Sequence, residues 1–276
     1  MRILFVTPEI APFSKEGGLA DVSAALPEVL ARRGHEVVVV TPRYSGIDVA
    51  TFDLRRKRIR LGLPIRGKTV SGGILEGDGP DGVQLWFVDQ PSYFDRQGIY
   101  GWQGKAHPDN DERFAFFCRA ALETCRQTGF APDVIHAHDW PCGPLAPLLQ
   151  FEYRDWPELN SSGTVFTIHN LAHTGSFEPD AMMILGLPWD LFTPEEMEFF
   201  GKVSYLKAGL VFADKLTTVS PSYAAQIQSA DLGQGFAGLL RERASDLRGI
   251  LNGVDYRIWE PSRDPHIPRP FSSAEM

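Results

Sequence analysis

Cysteine is scarce in this chain, and long apolar runs and a dinucleotide-binding glycine motif are missing from it. Its 276 residues hold three cysteines, Cys118, Cys125 and Cys142, without a C-x-x-C pair. Cys118 and Cys125 lie seven positions apart in one predicted helix, roughly 10 Å along its axis, which is too far for a disulfide. This cysteine pattern favours a reducing compartment, and we expect the protein to be cytoplasmic.

Membrane and nucleic-acid partners are also disfavoured. No stretch of 18 apolar residues occurs, so the sequence predicts no transmembrane helix. The N-terminus enters a predicted strand directly and lacks the pattern of a signal peptide. Lys and Arg number 27 against 35 Asp and Glu, a formal net charge of −8. That balance argues against a protein that nucleic acid holds through overall charge.

Strands and helices alternate along the chain. Short apolar runs predict strands at 2–7, 36–41, 133–137, 164–168, 215–219 and 247–251. Amphipathic stretches predict helices at about 19–30, 111–127, 145–153 and 194–210. The first helix is expected to present one apolar face, made of Leu19, Val22, Leu26, Val29 and Leu30. Residues 51–89 break into shorter β-like pieces separated by glycines.

This alternation predicts an α/β fold, a doubly wound Rossmann-like parallel sheet with helices on both faces and a small antiparallel β insertion at about 51–90. Residues 1–260 are predicted to form one domain, and the proline-rich residues 261–276 a linker or tail. Ligands of such sheets bind beyond the carboxyl ends of the strands. Polar residues that follow strands are therefore the candidates for a site.

The first candidate is Glu9 with Lys15-Glu16-Gly17-Gly18, between the first strand and the first helix. Two glycines at a helix N-terminus let the backbone approach a ligand closely. The amides and the positive end of the helix dipole favour an anion there by about 0.3–1 kcal/mol. Lys15 adds a full positive charge, so the segment predicts phosphate binding.

Two further candidates follow the strands at 133–137 and 164–168, and a weaker one follows the last strand. They are His136-Ala137-His138-Asp139-Trp140, His169-Asn170 and Asn252-Gly253-Val254-Asp255. In strand geometry His136 and His138 point to one face. One histidine at a strand end is commonly structural, but two strand ends that bring His and Asp beside a Lys-Gly-Gly loop favour a site. The Asn252 cluster alone is typical of a glycine-assisted turn.

Other chemistries fit the sequence poorly. Residues 62–69 match the phosphate-loop expression G-x-x-x-x-G-K-[ST], but no buried strand precedes them and no helix can follow them. His169 and His173 have a zinc-like spacing without the glutamate of H-E-x-x-H, and no helix sets their geometry. No G-x-G-x-x-G follows the first strand, which disfavours a dehydrogenase. We expect neither a metal nor a cofactor.

The segment Lys15-Glu16-Gly17-Gly18-Leu19-Ala20-Asp21-Val22 resembles the K-x-G-G-L-x-D-V signature of bacterial glycogen synthases and plant starch synthases, glycosyltransferase family 5. The resemblance continues in order through Tyr100-Gly101, Asp109-Asn110 with Arg113-Phe114, 134–140, 166–172, 206–210, 218–223 and 251–255 with Trp259. It covers nearly the whole chain up to about Pro261. The number of ordered matches makes the resemblance specific.

The resemblance implies the N-terminal half of a glycosyltransferase B-type fold and a retaining transfer of glucose from ADP-glucose to the non-reducing end of an α-1,4-glucan. The sequence leaves the choice between ADP- and UDP-glucose open. Asp139 and His169 are the implied catalytic residues, Asp139 at sugar hydroxyls and His169 beside the anomeric carbon. The implied substrate-binding residues are Lys15, Gly17 and Gly18 near the diphosphate, Asn252 at the glucosyl-diphosphate portion, and Asp21, His138 and Asn170.

One departure from the family bears on activity. The second domain of the family supplies a basic pair and a glutamate to the donor, and this chain stops at 276, so the C-terminal domain is expected to be absent. Lys15 alone would face the diphosphate in a cleft open to water, where Coulomb terms are several-fold weaker. We expect little or no synthase activity from the isolated chain, and a complementing C-terminal domain as partner if the gene is split. The alternative is a non-catalytic glucan-binding or regulatory module.

Overall fold

The computed structural model describes residues 1–272 and is built around a ten-stranded sheet. In chain order, the strands that it describes are β1 (Arg2–Val6), β2 (Glu36–Pro42), β3 (Arg55–Arg56), β4 (Leu61–Ile65), β5 (Lys68–Asp78), β6 (Gln84–Asp89), β7 (Gly101–Trp102), β8 (Lys105–Ala106), β9 (Val134–His138), β10 (Gly163–Ile168), β11 (Ser176–Phe177), β12 (Glu198–Phe199), β13 (Lys202–Ser204), β14 (Lys215–Thr218) and β15 (Leu247–Gly249).

The order across the main sheet is β15-β14-β10-β9-β1-β2-β6-β5-β3, and β4 pairs with β5. The strands from β15 to β6 run parallel. The chain begins at the centre of the sheet, builds one half outward from β1 and then returns to build the other half from β9. The predicted doubly wound sheet is thereby confirmed, and its two halves meet between β1 and β9.

Helices occupy both faces of this sheet. In the described residues the α-helices are α1 (Leu19–Arg32), α2 (Pro91–Phe94), α3 (Asn110–Thr128), α4 (Asp139–Cys142), α5 (Leu145–Leu148), α6 (Ala181–Leu185), α7 (Tyr205–Phe212), α8 (Pro221–Gln226) and α9 (Ala237–Glu242). A π-helical turn, Leu149–Tyr153, continues α5, and short 3-10 helices lie at Pro80–Gly82 and Trp189–Leu191. Helices α3, α4, α5 and α7 pack on one another, and α1 packs on β2. The apolar runs of β1 and β2 are almost wholly buried, as expected for central parallel strands.

Close packing of α7 on β10 depends on a glycine. A Cβ added to Gly209 would lie 2.5 Å from Cε2 of Phe166, well inside van der Waals contact. We expect Gly209→Ala to lower the free energy of unfolding by about 1–3 kcal/mol, measured by urea denaturation. The control is Gly238→Ala in α9, where an added Cβ meets nothing within 4 Å. Equal losses in the two variants would contradict this account.

The predicted helix at 194–210 is wrong over most of its length. Residues Glu198–Phe199 and Lys202–Ser204 form an antiparallel hairpin instead. Phe200 and Gly201, at its turn, both have positive φ (51° and 79°), which a helix does not accommodate. Helix α7 begins after Ser204, whose Oγ accepts a hydrogen bond from the amide of Lys207 at 3.1 Å.

The antiparallel insertion is present, and its strands extend the ten-stranded sheet beyond β2. Strands β4 and β5 form a hairpin whose turn residues Arg66 and Gly67 have positive φ. This hairpin contains residues 62–69, so the phosphate-loop pattern has no helix behind it. Strand β3 lies at the edge of the sheet, and β6 runs antiparallel to β5 but parallel to β2.

Helix α1 buries a different face from the predicted one. Its buried residues are Leu19, Ala20, Ser23, Pro27 and Glu28, whereas Val22 and Val29 are only half-buried. The difference arises because two polar side chains of the buried face have partners. Ser23 hydrogen-bonds Thr7 at 2.8 Å between hydroxyl oxygens, and Glu28 is ion-paired to arginines.

Cys118, Cys125 and Cys142 are all buried and free. Within residues 1–272, no helix combines the length and the apolar character that a membrane crossing requires. Residues 261–272 of the predicted tail contain turns and irregular structure, and 273–276 lie outside the described residues.

Candidate active site

The carboxyl ends of three neighbouring strands bring the predicted polar clusters to one edge of the sheet. Val6 of β1 lies opposite Ala137 of β9, and His138 of β9 lies opposite Thr167 of β10. Because these strands are parallel and in this register, the chain segments that follow them leave the sheet side by side. The adjacency that the sequence predicted is therefore present.

The loop that carries Lys15 is shaped by a buried carboxylate. Oε2 of Glu9 accepts the backbone amides of Glu16 at 2.6 Å and Gly17 at 3.0 Å, and Oε1 accepts the hydroxyl of Tyr100 at 2.6 Å. Glu9 is 3% exposed. The amide of Gly17 is thus engaged within the protein, and these hydrogen bonds to Glu9 fix the backbone of the loop.

The two glycines of this loop border open space. A Cβ added to Gly17 or Gly18 would meet nothing within 4 Å, and neither residue lies in the left-handed region. The fold itself therefore does not demand glycine at these positions. Their bare backbone leaves room beside the N-terminus of α1, where an anion is favoured.

Lys15 is paired with Asp21 in the first turn of α1. Its Nζ lies 2.7 Å from Oδ1 and 2.8 Å from Oδ2 of Asp21, and the Lys15 side chain is 47% exposed. Nζ also lies 5.9 Å from the ring centroid of Trp259. Exposed ion pairs of this kind contribute about 0–1 kcal/mol, so a dianionic ligand can compete for the ammonium.

His138, Asp139 and His169 form one connected group. Nδ1 of His138 lies 3.1 Å from Nε2 of His169, and the amide of His169 donates to Oδ1 of Asp139 at 2.7 Å. His138 is fully buried, and its Nε2 has no hydrogen-bond partner within the described residues. Asp139 has φ 54°, a left-handed conformation that costs a non-glycine residue energy and recurs at functional sites.

Burial keeps these histidines neutral. It lowers the pKa of His169 to about 4 and holds the pKa of His138 well below its usual value, with smaller contributions to His138 from neighbouring histidines. Burial also raises the pKa of Asp139 to about 7, although the amides of His169 and Asn170 oppose this shift. The charge of Glu9 adds to the rise. At neutral pH the group therefore holds uncharged imidazoles beside a carboxyl near its midpoint.

The other predicted residues have different surroundings. His136 lies beside the group, with its ring centroid 4.1 Å from that of His138. Its Nε2 pairs with Oγ1 of Thr167 at 2.6 Å, and that hydroxyl in turn pairs with Oγ1 of Thr217. Asn170 is exposed, and its Oδ1 accepts the amide of Ala172 at 3.0 Å. Asn252 is exposed in the segment that follows β15. Within residues 1–272, no cluster of three or more His, Cys, Asp or Glu is arranged to hold a metal ion.

Two supporting residues lie in matched motifs to which the sequence assigned no role. Tyr100 holds Glu9, and its own carbonyl accepts Nδ2 of Asn110 at 2.9 Å. Arg113 is fully buried, donates to the carbonyl of Ile99 at 2.7 Å and to Asn110 at 3.1 Å. These contacts fix the segment that braces the Lys15 loop. The sequence signal for this role is the position of Arg113 in an otherwise apolar stretch of a predicted helix.

Comparison with known proteins identifies the family of this chain. The family model described as starch synthase catalytic domain matches residues 2–242. The chain is 49% identical over its whole length to a glycogen synthase of Anaeromyxobacter dehalogenans strain 2CP-C, of which it covers 57%. It is 43% identical to glycogen synthase 1 of Geobacter sulfurreducens, of which it covers 56%.

A solved structure shares the fold. The catalytic domain of starch synthase IV from Arabidopsis thaliana, bound to ADP and acarbose, superposes with a TM-score of 0.88 at 33% identity. The match covers 99% of this chain and 56% of that one. This chain thus has the N-terminal half of the glycosyltransferase B-type fold and spans about half the length of the relatives it matches. It belongs to the starch synthase catalytic-domain family, of which it represents the N-terminal part.

Proposed function

We propose that this chain is the acceptor-side half of a glycogen or starch synthase. The complete enzyme transfers glucose from ADP-glucose to the non-reducing end of an α-1,4-glucan with retention of configuration. The observation that carries the proposal is the neutral His169 after β10 bonded to Asp139 after β9, with the open glycine loop of Lys15 after the neighbouring β1. ADP in the Arabidopsis relative supports a nucleotide donor.

The Lys15 loop suits the diphosphate of the donor. A departing nucleoside diphosphate carries negative charge, and Lys15 supplies a positive partner once the ligand draws it from Asp21. The bare backbone of Gly17 and Gly18 lets phosphate oxygens approach the N-terminus of α1. This half of the site therefore stabilises the leaving group.

The His169 group suits the sugar. The glucosyl centre gains positive charge as the donor bond breaks, so it is stabilised by negative or dipolar groups and not by a cation. His169 stays neutral at physiological pH because its pKa is about 4. Its backbone carbonyl and the carboxyl of Asp139 then act as acceptors for the charge and the hydroxyls of the sugar.

The chain is proposed to need a second half for turnover. The chain covers 56–57% of the length of these relatives. The segment after β15 also exposes a run of large apolar side chains. Each is more than half exposed, and they are Ile250, Leu251, Val254, Tyr256, Ile258 and Trp259. Such a run favours burial against further protein. A C-terminal domain, covalently attached or supplied separately, would cover them and complete the donor site.

The test is incorporation of glucose from ADP-glucose into glycogen. The chain alone should give background rates, whereas addition of the C-terminal half of the Anaeromyxobacter relative should raise incorporation by at least about a hundredfold. Full turnover by the chain alone would contradict the proposed incompleteness. If the mixture assembles but stays inactive while the chain still binds glucan, the protein is a binding module.

Gly17→Ala separates the ligand role of the loop from its folding. Because an added Cβ has open space, the free energy of unfolding should change by less than about 0.5 kcal/mol. The methyl group would occupy space proposed for phosphate, so we expect the complemented rate to fall about tenfold or more. Gly238→Ala, with equally open space in α9, should leave the rate unchanged. Equal rates in the two variants would count against a ligand at Gly17.

A further inference from the structure

A salt bridge joins the segment after β15 to helix α1 across 229 positions of the sequence. Arg257 donates from Nη1 to Oε1 of Glu28 at 2.7 Å and from Nη2 to Oε2 at 2.6 Å. This is a two-pronged guanidinium–carboxylate contact, the geometry in which such pairs are strongest. The side chain of Glu28 is 5% exposed, whereas that of Arg257 is 61% exposed. The carboxylate of Glu28 is therefore buried in the fold, whereas the Arg257 side chain that pairs with it lies at the surface.

Glu28 depends on its arginine partners. Arg32, one turn later in α1, contributes one further hydrogen bond at 2.5 Å to Oε1. Arg257 is the largest cause that lowers the pKa of Glu28, ahead of Arg32. A buried carboxylate that loses a partner is strongly disfavoured. The fold therefore favours the arrangement in which Arg257 is docked.

The same face of α1 holds the Lys15 loop. Asp21 and Glu28 are seven residues apart, two helical turns, and so lie on one face about 10 Å apart along the axis. Asp21 binds Lys15 at one end of this face, and Glu28 binds Arg257 at the other. The segment from 252 to 259 therefore contacts α1, the helix that begins at the Lys15 loop.

A compact turn transmits the position of Arg257 to its neighbours. The carbonyl of Asp255 accepts the amides of Ile258 at 3.1 Å and Trp259 at 2.8 Å. The carboxylate of Asp255 accepts the amide of Arg257 at 2.9 Å and also its guanidinium. Because the turn is closed by these bonds, docking of Arg257 fixes Trp259, whose ring lies 5.9 Å from Nζ of Lys15.

We propose that Glu28 and Arg257 are positioning residues that clamp residues 252–259 onto α1 and so set Trp259 beside the Lys15 loop. The clamp rests on the proposed function in one respect, that the Lys15 loop binds the nucleotide diphosphate. The clamp holds the segment that follows β15 against the side of the site where the Lys15 loop lies. Neither residue touches the substrate.

The test combines hydrogen exchange with ADP binding on the chain itself. In Arg257→Met, amide exchange in 252–260 should become at least about tenfold faster, because the two-pronged contact is lost. Exchange in β1 and β9 should not change. ADP affinity, measured by calorimetric titration, should fall about five- to tenfold. Arg257→Lys keeps the charge without the fork and should give intermediate values. Arg269→Met, an exposed arginine in the same terminal region, should match the wild type.

Two outcomes overturn the clamp. One is unchanged exchange in 252–260 in Arg257→Met, and the other is faster exchange with unchanged ADP affinity. Lys15→Ala keeps the proposed function distinguishable. If Lys15→Ala binds ADP as tightly as the wild type, the phosphate role of the loop fails, and the exchange measurement still decides the clamp. If the isolated wild type binds no ADP, the titrations are made on the mixture with the C-terminal half. If Lys15→Ala loses ADP while Arg257→Met does not, only the clamp fails.

Discussion

Replacement of His169 by alanine is expected to lower glucose transfer by the complemented two-half enzyme about 10²–10³-fold. The neutral imidazole lies 3.1 Å from His138, and the adjoining amide holds Asp139 at 2.7 Å. Alanine keeps the backbone carbonyl and the amide that bonds Asp139, but loss of the imidazole and of its contact with His138 lets this strand end shift relative to the sugar. Since the effect falls on charge development in the transition state, kcat should fall more than KM rises. Initial rates over a range of ADP-glucose concentrations measure this split.

The matched control for that variant is His173→Ala. His173 lies four residues further on, is exposed, and belongs to the same loop. Its removal should leave kcat within about twofold, as for a surface substitution away from the site. Circular dichroism should show both variants folded. A folded His169→Ala enzyme with nearly normal kcat would show that the imidazole of His169 does not contribute to the proposed chemistry.

Much of the fold follows from sequence patterns because the central strands are continuous apolar runs. Val37 to Val40 in β2 and Leu4 to Val6 in β1 admit few alternatives to burial in a parallel sheet. The hairpin around Phe200 and Gly201 was missed because apolar content around 194–210 imitates a helix. A glycine in that stretch, next to a residue able to take positive φ, was the available signal.

The site was predictable to the level of strand ends, but its supporting contacts were not. The alternation of strands and helices predicts parallel strands, whose carboxyl ends share one edge, so Lys15, Asp139 and His169 were expected at that edge. The order β10-β9-β1, which makes the three segments neighbours, comes from the structure. Glu9 with Tyr100 and Glu28 with Arg257 join residues 91 and 229 positions apart. Such pairs depend on how loops return over the sheet, and local patterns carry no information on that.

Acid is expected to destabilise the protein steeply below pH 6.5, for a reason located at the site. Burial lowers the pKa of His136 to about 3 and of His169 to about 4, and that of His138 lies well below the usual range. In the unfolded chain these side chains take up protons near pH 6.5, whereas in the folded chain they do not. As pH falls from 6.5 toward 4, the unfolded state therefore gains up to three protons that the native state lacks.

Asp139 acts in the opposite direction over nearly the same range. Its pKa of about 7 in the folded chain means that the native state holds a proton that the unfolded state, with a carboxyl pKa of 3.8, releases. The net difference near pH 5 is about two protons, so the free energy of unfolding should fall by about 2–3 kcal/mol for each pH unit of acidification.

Urea denaturation between pH 4.5 and 8 measures this slope. Asp139→Asn should steepen it by about one proton and His169→Asn should flatten it by about one, because each removes one of the opposing groups. A slope that neither variant changes would mean that Asp139 is not protonated and His169 not neutral in the folded chain near pH 5. The proposed role of a neutral His169 beside the sugar would then be contradicted.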